Sequence, residues 1–190
     1  DNRAKGGQRR MQILDAALKL FAQKGMAQVT TRQIAQAVGI SQPSLYAHFR
    51  SADEIAAELC ARAFTTLAEA MKDVAQGQST PLERIRRMGR AYIEFGLDNP
   101  DMYRVAFMLE DAKHCHEEVV NAQGEIADPA LAAGLRCFSV MHHTMAEHMG
   151  GDGPDALLAA QSTWAHVHGL VSLLIARAEL FADVVVPGHT

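Results

Sequence analysis

The polar side chains between Thr30 and Arg50 have types and spacing that suit contact with a nucleic acid. This stretch reads TTRQIAQAVGISQPSLYAHFR, two short helical patterns on either side of Gly39. Its apolar residues are spaced to pack the two helices together: Ile34, Ala35, Val38, Ile40, Leu45 and Phe49. The remaining side chains then point outward, on a face that fits the major groove of DNA: Arg32, Gln42, Ser44, Tyr46, Ala47 and His48.

The residue pattern gives less support to catalysis or metal binding. The chain has no Gly-rich phosphate loop, no nucleophile elbow and no distinctive pair of carboxylates, so we predict no enzyme, no catalytic residue and no cofactor. Nine histidines raise the question of a metal site. They do not include a helical i, i+4 pair joined to a second pair at the spacing of metal ligands, so we predict no metal site. Metal or redox sensing by the segment His114-Cys115-His116 stays open as an alternative.

Composition predicts an all-α protein. Hydrophobic residues make up 48% of the 190 residues, prolines number only six, and residues that favour helices dominate. Charge is unevenly distributed: residues 1–50 carry eight Lys or Arg against two Asp or Glu, a net charge of +6. Residues 51–190 carry ten against 20, a net charge of −10. A basic first quarter favours a polyanion-binding module joined to a different kind of domain.

Apolar periodicity and helix-ending residues predict where the helices lie. Gly25, Gly39 and the segment 150–154 are expected to form turns, and Thr30 or Thr31 is expected to cap the second helix. The polar segment 110–125 gives no clear signal. The predicted helices are residues 9–24, 31–38, 42 to about 49, 53–75, 80 to about 97, a short helix within 102–108, 128–149 and 155–181.

Cysteine usage and hydropathy bear on the compartment. Cys60, Cys115 and Cys137 are few and widely spaced, so no disulfide framework is expected. No apolar run reaches the length of a membrane span, and no secretion signal is visible. We therefore expect a cytoplasmic protein with no membrane partner.

The first quarter of the chain resembles the TetR family of transcriptional regulators. The match extends over about 45 residues with the family's internal spacing. It consists of Ile13, Ala16, Ala17, Phe21, Gly25, Thr30-Thr31, Ile34-Ala35, Gly39-Ile40-Ser41, Leu45-Tyr46 and His48-Phe49. The resemblance implies a three-helix helix-turn-helix DNA-binding domain over residues 1–52 and a helical-bundle domain for ligand binding and dimerisation over 53–190.

The resemblance also implies roles for individual residues. Phosphate contacts are implied for Thr31, Tyr46 and His48, with Thr30 beside them, and a contact with a thymine methyl is implied for Ala47. Base readout is implied for Arg32, Gln42, Pro43 and Ser44. One position departs from the family pattern: Ala52 stands where a lysine usually opens the fourth helix near a phosphate, and Arg50 is the candidate substitute.

The second half resembles the regulatory domain of the Trp-His-Gly type. The similarity rests on Trp164-x-His166-x-His168-Gly169 and on Pro100-x-Met102-Tyr103. It implies dimerisation through the last two helices, and a close helix–helix approach there would explain a glycine in the middle of a helix. It also implies an apolar ligand pocket, with these candidate lining residues: Tyr92, Phe95, Met102, Tyr103, Phe107, Phe138, Met141, His142, Met145, Trp164 and His168.

Together these features predict a ligand-responsive, homodimeric DNA-binding regulator. The expected form is a repressor that leaves a palindromic operator on double-stranded DNA when it binds a small apolar or amphipathic effector. The alternative is a helical protein that senses a small molecule or a metal and does not use its helix-turn-helix for DNA.

Overall fold

The computed structural model describes residues 2–76, 79–108, 128–177 and 179, with the backbone alone for 2–5. Helices form nearly all of this part of the chain, and it contains no strand, so the all-α prediction is confirmed. In chain order the elements are α1 (Asn2–Lys24), a 3-10 turn (Met26–Gln28), α2 (Thr31–Val38), α3 (Gln42–Tyr46), α4 (Ala52–Ala75), α5 (Pro81–Asp98), α6 (Pro100–Tyr103), a π-helical turn (Arg104–Met108), α7 (Pro129–Met149) and α8 (Pro154–Ala176).

Backbone contacts divide the chain into two compact units, residues 1–63 with 101–132 and residues 64–100 with 133–190. In the first unit, α1 packs against α2 and also against the π-helical turn, and α2 packs against α3. Helices α1, α2 and α3 enclose a small apolar core that includes Ile13, Phe21, Ile34 and Leu45, each at most 1% exposed. The sequence boundary at 52/53 remains a prediction.

In the second unit the main pairing joins α5 to α8. The core of this unit includes Met88 and Tyr92 on α5, Met141 on α7, and Ala160 and Val171 on α8, all buried. Gly89 of α5 lies opposite Val167 of α8 at ordinary contact distance, so no close approach of the helices requires that glycine. For Gly169, no neighbouring atom of the described chain lies within 4 Å of the position that a Cβ would occupy.

Four of the eight predicted helices, α2, α4, α5 and α7, agree with the structure to within a residue at both ends. Helix α4 has a buried apolar stripe at helical spacing: Ile55, Leu59, Ala63 and Leu67 are all at most 3% exposed. The turn after α1 is also as expected: Gly25 has a φ of 81° and donates its N–H to the carbonyl of Phe21.

Four helix boundaries differ from the prediction. Helix α1 begins at Asn2 rather than residue 9, α3 ends at Tyr46 rather than near 49, and α8 ends at Ala176 rather than 181. At Arg177 the backbone leaves the helical region with a φ of −141°, although apolar residues continue beyond it in the sequence. The short helix around 102–108 is α-helical only to Tyr103 and then widens into the π-helical turn, where Tyr103 and Val105 are both buried.

The histidine and cysteine segment that the sequence singled out falls outside the described residues. The segment His114-Cys115-His116 lies there, as does the whole of the polar segment 110–125. Within the described part, no group of three or more His, Cys, Asp or Glu side chains is arranged to hold a metal ion. No helix in that part combines the length and the hydropathy that crossing a membrane would need.

Candidate nucleic-acid interface

A left-handed glycine sets the angle between α2 and α3. Gly39 has a φ of 74° and a ψ of 33°, a conformation that costs a residue with a Cβ about 1–2 kcal/mol. Its N–H bonds to the carbonyl of Gln36, and the N–H of Ile40 bonds to the carbonyl of Ala35 at 3.0 Å. These bonds satisfy the last carbonyls of α2 and turn the chain directly into α3.

Side chains cap the start of both helices. The Thr30 hydroxyl accepts the N–H of Gln33, and the Gln33 side chain accepts the N–H of Thr30 at 2.8 Å, which completes a capping box. Ser41 caps α3 by accepting the N–H of Ser44, and Pro43 follows in the first turn, where a missing N–H has no cost. Short helices of eight and five residues are marginal alone, so these caps contribute to holding them.

A buried apolar seam joins the two helices as the sequence predicts. Ile34, Ala35, Leu45 and Phe49 are at most 3% exposed, while Val38 and Ile40 are half-buried at the edge. Because this seam occupies one side of α2 and α3, the other side faces outward. We call the outward side the α2–α3 surface; it consists of Thr31, Arg32, Gln42, Pro43, Ser44, Tyr46, Ala47 and His48.

Three side chains of the α2–α3 surface are hydrogen-bonded to one another. The Thr31 Oγ1 lies 3.2 Å from the Tyr46 Oη, and the Gln42 Nε2 donates to the same Thr31 Oγ1 at 3.4 Å. Tyr46 is 50% exposed, so its hydroxyl remains accessible despite this contact. The structure therefore brings together a threonine, an amide and a phenol, and holds them in position before any partner arrives.

The other predicted DNA-contacting residues differ in exposure. Arg32, Pro43 and Ala47 are exposed, and Ser44 and His48 are half-buried. Thr30 is exposed, but its hydroxyl is engaged in the capping box, which gives it a structural role in α2. None of these residues is buried, and their contact with DNA stays a prediction.

Arg50 and Ala52 flank the start of α4. Ala52 is the first residue of that helix, and Arg50, two residues earlier, is exposed. The N–H of Arg50 donates to the Glu54 side chain at 2.6 Å, which anchors the backbone and leaves the guanidinium on the surface. Arg50 is thus placed to supply the positive charge that Ala52 lacks.

Sequence reasoning missed one residue of this region, Arg10 of α1. Its Nη1 donates to the carbonyl of His48 at 2.6 Å, its Nη2 pairs with the Glu58 carboxylate, and its guanidinium lies 3.9 Å from the ring centre of Phe49. Glu58 also pairs with Arg62 at 2.8 Å. Contacts across 38 and 48 residues leave no periodic signal in the sequence, so Arg10 was counted only as one of the basic residues.

Eight of the predicted pocket residues lie in the second unit, and five of them form a chain of side-chain contacts. The Tyr92 Oη lies 3.3 Å from the Nδ1 of His168, whose pKa is lowered by burial. The rings of His168, Trp164, Phe138 and His142 then follow one another at centroid distances of 5.8 to 6.3 Å. Three further members are buried in the same unit: Phe95, Met141 and Met145.

The remaining three predicted pocket residues lie in the first unit. Tyr103 is fully buried, its ring centre is 4.7 Å from that of Phe107, and Met102 is half-buried. Burial of this kind is equally expected of ordinary core. The lining of a ligand pocket therefore stays a prediction for both groups.

Two family models match the chain. The model described as "Bacterial regulatory proteins, tetR family" matches residues 13–59, and the model described as "Tetracyclin repressor-like, C-terminal domain" matches residues 85–184. The transcriptional repressor KstR2 of Mycobacterium tuberculosis is 35% identical over 86 residues, which are 45% of this chain and 43% of that protein. The chain thus spans about half the length of the curated relatives that it matches.

Solved structures share the fold. The regulator PfmR from Thermus thermophilus superposes with a TM-score of 0.66 at 22% identity, covering 84% of each chain. FadR from Bacillus subtilis, solved in complex with stearoyl-CoA, superposes with a TM-score of 0.70 at 17% identity and covers 89% of this chain and 88% of its own. At these identities the likeness concerns the architecture alone.

Proposed function

The chain belongs to the TetR family of bacterial regulators, and from that premise we propose that it is a ligand-responsive transcriptional regulator that binds double-stranded DNA as a homodimer. Regulators of this family bind DNA and typically dimerise. Its expected action is that of a repressor, released from a palindromic operator by a small apolar or amphipathic effector.

The observation that carries the proposal is the hydrogen-bonded group of Thr31, Gln42 and Tyr46 on the α2–α3 surface. Hydroxyl and amide groups of this kind bind phosphate oxygens and base edges, and fixing them in advance lowers the entropy cost of binding. Arg32 beside them is exposed and adds the bidentate donor that most often reads guanine. Two such surfaces, related by a two-fold axis, would enter successive major grooves about 34 Å apart.

The apolar surface of α7 and α8 supports the homodimer. Among the described residues, six of the nine large hydrophobic side chains that are exposed in the single chain lie on these two helices. They are Leu135 and Met149 on α7 and Leu157, Leu158, Trp164 and Leu173 on α8. A second copy of the chain that packs against these two helices would bury such side chains.

The effector class is proposed from the aromatic and methionine side chains among the predicted pocket residues. Rings and thioethers give an apolar lining, and methionine adapts its shape to different occupants. Stearoyl-CoA, which is bound in the FadR structure, is the first probe to use because the two proteins share a fold. Release of DNA requires that the effector bind better to a state in which the two α2–α3 surfaces no longer match the grooves.

Fluorescence anisotropy tests the proposal directly. The full chain is titrated onto a pool of labelled duplexes of about 30 base pairs and random sequence, which can hold two half-sites one helical turn apart. Binding at low salt that weakens as salt rises is expected, followed by enrichment of a palindrome on repeated selection. Absence of binding to every duplex at low salt contradicts the proposal.

A double substitution separates DNA reading from the alternative in which the helix-turn-helix is unused. Arg32→Ala with Tyr46→Ala removes two exposed side chains that do not support the buried seam, so folding is expected to persist. DNA binding should then fall by at least about tenfold, because each lost contact is worth on the order of 1 kcal/mol or more. Unchanged DNA binding by the folded variant would favour the alternative.

A further inference from the structure

Arg10 contacts three different parts of the first unit through one side chain. As described above, it donates to the carbonyl of His48, pairs with Glu58 of α4 and lies over the ring of Phe49. The side chain is 35% exposed, and both terminal nitrogens of its guanidinium bond within the protein. We call this arrangement the Arg10 clamp; it consists of Arg10, Glu58 and the carbonyl of His48.

The clamp acts on the end of a helix that has little stability of its own. Helix α3 has five residues, and beyond it the N–H of Ala47 bonds to Pro43 and those of His48 and Phe49 bond to Leu45. The last carbonyls of a helix lack partners within it, and a cation at that end is favourable. The Arg10 guanidinium provides both a donor and a positive charge at this point.

We propose that Arg10 is a positioning residue for DNA reading, which fixes the carboxyl end of α3 to α4 and so sets the orientation of the α2–α3 surface. Glu58 orients Arg10 and is held by Arg62 on its other oxygen. The inference rests on the proposed function for its consequence in DNA binding, but the clamp itself exists and can be tested without DNA.

A plain phosphate contact is the competing role for an arginine in a basic segment. In the free protein both terminal nitrogens of the guanidinium are already bonded, one to a carbonyl and one to a carboxylate that neutralises its charge, so a phosphate would have to compete with these contacts. Arg9 lies one position earlier, and its guanidinium bonds to Gln12 on the same helix at 2.8 Å. Arg9→Gln is therefore the matched control, because it removes the same charge from the same helix and leaves the clamp intact.

Hydrogen exchange of the free protein tests the clamp first. Arg10→Gln should speed exchange of the amides of Ala47, His48 and Phe49 by about tenfold, the effect of losing one charge-assisted hydrogen bond. In the same variant, amides in the middle of α1 and α2 should keep their protection. In Arg9→Gln, the amides of Ala47, His48 and Phe49 should keep theirs as well. Uniform acceleration over α1, α2 and α3 would make Arg10 a general stabilising residue and overturn the inference, as would no change.

The salt dependence of DNA binding then separates positioning from charge. Arg10→Gln should weaken binding by roughly tenfold while the slope of log K against log salt stays the same, because no phosphate contact is lost. A slope reduced by about 0.9 would identify a phosphate contact and overturn positioning. If the wild type binds no duplex, the proposed function fails while the exchange result still decides on the clamp.

Removing Glu58 distinguishes charge from positioning, because the two predict opposite changes in DNA affinity. Glu58→Ala removes a negative charge near the proposed DNA surface, which by charge alone tightens binding. The clamp predicts weaker DNA binding and faster amide exchange at His48. It also predicts that the double variant with Arg10→Gln loses less than the sum of the two single losses. Asp15→Ala, at an exposed acid on α1, is the matched control and should not weaken binding. Tighter binding by Glu58→Ala would overturn the inference.

Discussion

The threonines at the start of α2 show how neighbouring residues of one type take different roles. Thr30 uses its hydroxyl to cap the helix, whereas Thr31 bonds to Tyr46 and Gln42 on the α2–α3 surface. The sequence predicted that one of them caps and placed both at the DNA surface, but only coordinates divide the roles. A hydroxyl at N-cap and one at N1 look alike in a sequence because the difference lies in backbone dihedrals.

Ala52 is a residue where adding a charge should improve DNA binding. Ala52→Lys places a cation at the first position of α4, where the family pattern has a lysine and where Arg50 is already exposed. We expect tighter binding and a slope of log K against log salt that is steeper by about 0.9, the value for one more phosphate contact. Thr66→Lys adds the same charge to an exposed position later on α4 and should leave the slope unchanged. Equal effects from both variants would contradict a specific phosphate at Ala52.

His168 should make stability depend on pH. Burial lowers its pKa from the ordinary value of 6.5, so the folded protein binds fewer protons than the unfolded chain. The free energy of unfolding therefore has its full value above that ordinary pKa and falls as the pH drops below it, toward the lowered pKa of the folded state. Urea unfolding between about pH 7.5 and 5.5 measures this, and His168→Gln should reduce the fall.

Tyr92→Phe is the control for that measurement. It removes the hydroxyl 3.3 Å from the His168 Nδ1 but keeps the ring that buries the imidazole. Because burial is the cause of the lowered pKa, the pH dependence should persist in this variant. Loss of the pH dependence in Tyr92→Phe would mean that the hydrogen bond, rather than burial, is responsible.

At the level of elements, helices were predictable wherever one face is buried. The stripe of α4 and the seam of α2 and α3 are examples, since apolar residues recur there at helical spacing. The start of α1 could not be predicted in this way. The helix runs through Gly6 and Gly7, but these glycines and the polar residues around them carry no apolar periodicity. The π-helical turn after Tyr103 has no counterpart in sequence rules, and neither does the Arg10 clamp, which joins residues far apart in the chain.

The turn between α2 and α3 should depend on the conformation of Gly39 alone. Among the described residues, no atom beyond the adjacent backbone lies within 4 Å of the position that a Cβ would occupy, so Gly39→Ala meets a backbone penalty of about 1–2 kcal/mol and no clash. Gly39→Asn should cost less, because asparagine tolerates the left-handed region. Chemical denaturation measures both, and equal stability of the two variants would show that φ is not the cause.

Gly150 provides a matched control for Gly39. It has a φ of 76°, again with open space around its Cβ position, but it follows α7 in the second unit. Gly150→Ala should lower stability by a similar amount and leave DNA affinity unchanged. Only Gly39→Ala is expected to weaken DNA binding, because it also disturbs the angle of α3.

For the molecule as a whole, the exposed leucines of α8 should control the oligomeric state. Leu158 is 62% exposed in the single chain, and Leu158→Glu would bury a charge if a second copy covers this helix. We expect the variant to elute as a monomer with light-scattering detection and to bind DNA more weakly. Leu82→Glu, at a leucine 42% exposed on α5, should leave the dimer intact. A dimeric Leu158→Glu protein would rule out this face.

The empty space beside Gly169 gives one substitution opposite consequences for folding and for association. An alanine there meets no neighbouring helix of the described chain and should favour α8 by about 1 kcal/mol, raising the unfolding free energy of a monomeric background such as Leu158→Glu. If two copies of α8 touch at this point, the same methyl group separates them and raises the dissociation constant. The glycine would then make each chain less stable while allowing the two copies of α8 to approach more closely.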